Sequence, residues 1–227
     1  MNLLEMTNRL KIEVGASGSD LTTVQSLSGE SRRLANWIIQ SDLEIQELHY
    51  DWRFLRTAVS FNTIASQASY APDVAPASLT NFAEWKEDSF RVYLTSAGYG
   101  SETFMPHLDY DTFRDTYQYN ARRATYARPV QISVGPDKKL WLGPGPNDIY
   151  TIVGEYFKSP TSMSADADTS VIPTRFHMAI VYKAMTKYAT FESAPEVLEA
   201  GTRGYREQLA ALTVNQLPEL MTGGPLA

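Results

Sequence analysis

Near Trp52 the apolar periodicity of this chain changes from about 3.6 residues to about 2, and near Pro173 it changes back. An amphipathic helix must bury its stripe against another element, so the two ends of the chain need each other. At the N-terminal end, Leu3, Met6, Leu10 and Val14 form one helical stripe with Ile12 off to its side. Gly15 is placed to stop that helix as its C′ residue, and Gly15–Ser28 reads as a loop. A second helix is expected over Glu30–Leu48, with Leu34, Trp37, Ile38, Ser41, Ile45 and Leu48 on one face. At the other end, Pro173 opens a helix whose stripe is Phe176, Ile180, Ala184 and Tyr188, widened by Val181 and Met185. Pro195 starts a last helix to about Leu217, with Leu198, Tyr205, Leu209 and Leu212 spaced for packing on its neighbour.

The middle reads differently. Ala58–Ile64 and Ser89–Thr95 alternate as strands, and Phe104–Leu108 is a third candidate. Residues 72–83, with two prolines, read as a loop. Leu108–Tyr117 is a short helix with Asp109 or Asp111 at its N-terminus, where the dipole favours an acid. Val130–Val134, Lys139–Leu142 and Ile149–Phe157, separated by Gly/Pro turns, read as a three-strand meander. Lys158–Ile172 reads as a linker. The expected fold is therefore α+β: a discontinuous helical bundle of two N-terminal and two C-terminal helices (residues 1–56 plus 173–217), an inserted antiparallel β-rich region (57–160), and an extended C-terminal tail (218–227).

Chemistry-bearing motifs are scarce. The chain has no cysteine, hence neither disulfides nor thiolate metal sites. His49, His107 and His177 lack metal-type spacing, and His177 reads as a packed or surface histidine. Asp109, Asp111 and Asp115 lack the central glycine of a calcium loop, so Asp109 reads as a helix cap. Neither a P-loop nor a nucleophile elbow is present. The acids Glu84, Glu87 and Asp88 read as solvated, not as a glycosidase pair. The expectation is no cofactor, no metal and no catalysis. No signal peptide is read at the N-terminus, and no run of apolar residues is long enough to span a membrane.

One cluster stands out as a candidate interface: Arg114, Tyr117, Arg122, Arg123 and Tyr126, with Tyr119 and Arg128 alongside. Arg and Tyr together can hold nucleic acid by charge and stacking, and they are also the anchors enriched at protein interfaces. The net charge of −6 favours the interface, because phosphate binding rests on a basic surface. Trp52, Phe54, Trp85 and Trp141 read as core, since large aromatics dominate burial.

Several segments resemble the head–tail connector (adaptor, or head-completion) proteins of tailed bacteriophages. They are Asn36–Gln46, then Trp52-Arg-Phe-Leu with Phe61-Asn-Thr and Tyr70, and the β segment 130–157 ending Glu155-Tyr-Phe-Lys-Ser-Pro160. Ile172-Pro-Thr-Arg-Phe-His-Met-Ala-Ile-Val and Tyr188 resemble the helix that closes the same fold. Residues 96–128 carry no part of the resemblance. It implies a homo-oligomeric ring of twelve copies beneath the portal protein, joining the DNA-filled capsid to the tail and extending the DNA channel. It also implies a downstream neck or tail protein as partner, DNA passing without specific binding, and a place in the virion neck after assembly in the host cytoplasm. The C-terminal segment (Leu217, Pro218, Leu220, Met221 and Leu226) would then bind the portal. Two other readings compete: a cell-wall hydrolase, and a virion nucleic-acid-binding module using Arg122 and Arg123.

Overall fold

The computed structural model describes residues 1–218. Their five α-helices are α1 (Leu3–Glu13), α2 (Gly29–Gln46), α3 (Tyr110–Tyr117), α4 (His177–Glu192) and α5 (Pro195–Gln216). The longer strands are β1 (Arg56–Asn62), β3 (Phe82–Trp85), β4 (Arg91–Leu94), β7 (Gln131–Val134), β8 (Leu140–Gly143) and β10 (Tyr150–Lys158). Two-residue strands are β2 (Ser69–Tyr70), β5 (Thr103–Phe104), β6 (Tyr126–Ala127) and β9 (Gly145–Pro146). The fold is mixed α+β with a β-rich region inserted between helices, as the periodicity implied. Two compact units result: Met1–Leu55 with the segment from Pro160 onward, and Arg56–Ser159.

In the first unit, α1 begins with a reciprocal cap. The Asn2 side chain accepts from the Glu5 amide at 2.8 Å, and the Glu5 carboxylate accepts from the Asn2 amide at 3.0 Å. Gly15 ends the helix with φ +67°, a conformation that costs glycine little. Leu3, Met6 and Leu10 are buried, as are Leu34, Ile38 and Ile45 of α2. Leu48 departs from the expected stripe. The helix ends at Gln46, so Leu48 falls beyond it and is 44% exposed. Trp52 then folds back beneath that end: its indole N–H donates to the Ile45 carbonyl at 3.1 Å, which also accepts from the Leu48 N–H at 3.3 Å. The helix α4 packs against α1, α2 and α5. It starts four residues later than Pro173, after a 3-10 turn at Thr174–Phe176, and buries Ile180, Val181, Ala184 and Met185. Close approach of α5 depends on Gly204, where a Cβ would come within 2.8 Å of the Tyr182 ring.

The stretch read as a linker is better described as a strap. Residues of 160–172 bond repeatedly to both N-terminal helices and to the loop between them. Leu3 N–H donates to Asp168 O at 2.8 Å, and Val24 N–H to the Asp166 carboxylate at 2.6 Å. Gln46 accepts from Thr161 N–H at 3.0 Å, and the buried Asp42 carboxylate accepts from Ser170 and Gln46 side chains. Sequence composition alone could not show this, because polar residues that bond inward look like solvated ones.

In the second unit, β10 is the central strand of a five-stranded antiparallel sheet. It pairs with β1 along one edge and with β4 and β3 in succession along the other; β5 pairs with β4. A second sheet runs β2-β8-β7, and β6 and β9 form a short parallel pair. Side chains from both sheets, among them Phe61, Tyr70, Trp85, Phe90, Ile132, Leu142 and Ile152, make one buried cluster. The expected meander is thus corrected. Strands β7 and β8 form a hairpin, but β10 leaves for the other sheet. Pro144 and Pro146 supply no ladder donors, and a bend at Pro144 diverts the chain into β9 before β10 begins.

Gly154, in the middle of β10, sits directly against a core ring. A Cβ there would lie 2.6 Å from the Phe90 ring, and Phe90 is fully buried. Gly154→Ala is therefore expected to destabilise by about 1–3 kcal/mol through overpacking. A urea denaturation midpoint equal to that of the parent protein would show that Phe90 has room to move.

A donor-rich cleft on the β-rich unit

The candidate interface cluster is organised by α3 and the turn after it. Asp109 caps α3, its carboxylate accepting from the Asp111 amide at 3.2 Å and the Thr112 amide at 3.5 Å. One face of α3 sits on the end of β8. Gly143 allows this approach, since a Cβ there would lie 2.6 Å from both the Phe113 and Tyr117 rings. Those two rings pack at 5.0 Å, and the Tyr117 hydroxyl donates to the Gln131 side chain at 2.7 Å. Burial raises the Tyr117 phenol above its ordinary range, so it stays a neutral donor.

Beyond α3 a 3-10 turn, Asn120–Ala124, projects Arg122 and Arg123. Together with Phe113, Tyr117, Gln118 and the Trp141 ring they line a cleft of about 270 Å³. Of the five candidate interface residues, Tyr117, Arg122 and Arg123 therefore meet at one cleft. Tyr126 stands at its edge, packed over Gly145, where a Cβ would be 3.0 Å from its ring. Arg114 is turned elsewhere: it pairs with Asp111 at 3.2 Å, and its guanidinium lies 5.8 Å from the Tyr119 ring centre. Arg128, indistinguishable from Arg122 in the sequence, is used internally. It donates to the Val92 carbonyl at 3.3 Å, to the Ser101 carbonyl and to Thr103 Oγ1 at 3.0 Å.

The cleft is unusual in what its polar groups lack. Among the described residues Arg122 reaches only the Thr116 carbonyl, at 3.5 Å, and neither Arg122 nor Arg123 forms an ion pair. The Gln118 side-chain amide nitrogen is buried and donates to no protein acceptor, as is the Arg114 Nε nearby in the chain. The Trp141 indole nitrogen is also buried without an acceptor, but it lies beside Gly135, 2.9 Å from where a Cβ would sit. Phe113, Gln118 and Trp141 were not flagged by the sequence as parts of an interface. Trp141 reads as core because a strand aromatic between apolar neighbours gives no sign of which side it faces.

The remaining candidates are placed as follows. His177 is buried, with Nδ1 2.9 Å from the Met1 amine and Nε2 2.8 Å from the Ile172 carbonyl; burial lowers its pKa. His107 faces Glu87 at 3.2 Å. Asp88 is bonded to Lys86, which holds its carboxyl below the ordinary range, the opposite of what a general acid requires. No group of metal-ligating side chains is gathered among the described residues, and no described helix is long and apolar enough to cross a membrane. Of the expected portal-binding residues, Leu217 follows α5 with its N–H on the Thr213 carbonyl at 3.0 Å, and Pro218 is exposed. Leu220, Met221 and Leu226 lie outside the described residues.

No curated protein matches the chain. A family model described as SU10 adaptor protein matches residues 1–226.

Proposed function

We propose, because this chain belongs to the SU10 adaptor protein family and is thereby a phage adaptor protein, that it forms a ring of twelve copies beneath the portal in the virion neck. There it would join the DNA-filled capsid to the tail and extend the DNA channel. The observation that carries this reading is the family match along essentially the whole chain. Two physical features support it. The first unit is assembled from both ends of the chain around α4, which suits a rigid ring subunit meeting its neighbours through unlike faces. The net charge of −6 suits a wall along which DNA slides without adhering.

In this reading the protein is structural and not catalytic. The segment carrying Leu217, Pro218, Leu220, Met221 and Leu226 meets the portal, and a downstream neck or tail protein docks on the opposite side. Assembly takes place in the host cytoplasm. Electron microscopy of virions carrying this chain is the test. A twelve-fold ring at the neck is expected; density for the chain in the baseplate or on the capsid surface would defeat the proposal.

A further inference from the structure

We infer that the cleft of the β-rich unit is a docking site for an acidic peptide segment of a partner protein, one apolar side chain flanked by carboxylates. The inference rests on the adaptor reading only in taking the occupant to be a protein.

The argument begins with unmatched donors. A buried amide nitrogen with no acceptor costs free energy unless a ligand supplies one. At Gln118 such a nitrogen borders a cleft whose charged side chains are two guanidiniums without ion pairs among the described residues. Residues 116–136 contain three arginines and no acid, in a chain whose net charge is −6. One of those three, Arg128, is satisfied within the fold; Arg122 and Arg123 are left over. Guanidiniums present paired N–H groups that match a carboxylate, and Gln118 adds a single neutral donor for a carbonyl or carboxylate oxygen.

Size and lining decide what carries the carboxylate. About 270 Å³ is below the roughly 300–1,000 Å³ usual for small-molecule sites and corresponds to a side chain or two. Between the polar groups the walls are the Phe113, Tyr117 and Trp141 rings with Leu142 and Pro144, so an apolar side chain fits where the arginines do not reach. Nucleic acid is the weaker candidate. Two arginines release few counterions, giving a salt slope of about −1.8, whereas useful duplex affinity takes about 6–10 phosphate contacts.

The test uses the full 15N-labelled chain and a fluorescein-labelled hexapeptide, Glu-Asp-Leu-Phe-Asp-Glu. Saturable binding is expected, with shifts of the Gln118 side-chain amide signals. Binding should weaken at least tenfold for the Arg122→Ala/Arg123→Ala double variant, and at least tenfold for the peptide with Asn and Gln in place of its acids. Both arginines are exposed, so folding of the variant is checked by its unchanged spectrum elsewhere. Equal binding of the neutral peptide, or no saturable binding, overturns the inference. So does tighter binding of a 20-base-pair DNA duplex that moves the same signals. The neck location is read separately by microscopy: a chain found elsewhere in the virion leaves the peptide result standing, and a failed peptide leaves the ring standing.

Discussion

Trp52→Ala is expected to destabilise the protein by about 3–5 kcal/mol, the usual cost of removing a buried tryptophan. Trp52 is fully buried, packs edge-on to His49 at 4.9 Å, and stacks on Phe54 at 5.3 Å. Its indole N–H also donates to the Ile45 carbonyl at 3.1 Å, so the truncation leaves a cavity and removes one of the hydrogen bonds at that helix end, where the Leu48 N–H still reaches the same carbonyl at 3.3 Å. Against a typical domain stability of about 5–15 kcal/mol, that is enough to unfold much of the population in mild denaturant. Trp52→Phe keeps most of the ring volume but loses the donor and part of the indole, so its cost should be smaller, about 1–2 kcal/mol. Urea titration of the two variants separates cavity from hydrogen bond. If Trp52→Ala left the midpoint unmoved, the tight closure of α2 over this residue would be wrong.

The second large effect is a pH dependence centred on Asp42. Burial lifts its carboxyl to about 6, against opposing hydrogen bonds from Ser170 and Gln46. Because the folded-state pKa lies above the ordinary 3.8, the fold favours the protonated acid. Its contribution is fully present below pH 3.8 and is lost as pH rises through about 6. Two pKa units correspond to about 3 kcal/mol. Asp42→Asn removes the titration, so the stability difference between parent and variant should change by about 2 kcal/mol between pH 4 and pH 7, in favour of the variant at the higher pH. Comparing the pair cancels the carboxylates that titrate in the opposite sense, such as Asp168, whose pKa is held low by the Ala165 and Ser164 amides. Parallel stability curves for parent and variant across that window would refute the assignment.

The helices were legible because their signal is local. Leu34, Ile38 and Ile45 announce their shared face by spacing alone. Pairing in the β-rich unit is not local, and there the reading failed in identifiable places. Phe82–Trp85 hides behind Ser78 and Asn81, turn residues with φ of 46° and 55°, and becomes a strand only by joining the far end of β10. Strand β10 follows β8 in sequence yet joins the other sheet, a choice made by the core cluster and by two prolines. The cleft was legible in part for a similar reason. A run of Arg and Tyr marks a surface, but only tertiary contacts tell Arg128, spent inside, from Arg122 and Arg123, left outside. Gln118 carried no signal at all, since an unsatisfied amide is a property of its surroundings.

The split first unit also sets an order of events during synthesis. Helices α1 and α2 leave the ribosome first, but α4, which packs on both, follows only after the whole of Arg56–Ser159. At roughly 5–20 residues per second that interval is on the order of 10 s. The contiguous β-rich unit is complete before its predecessor in the sequence is, and through that interval the nascent chain displays two apolar helix faces to chaperones and proteases.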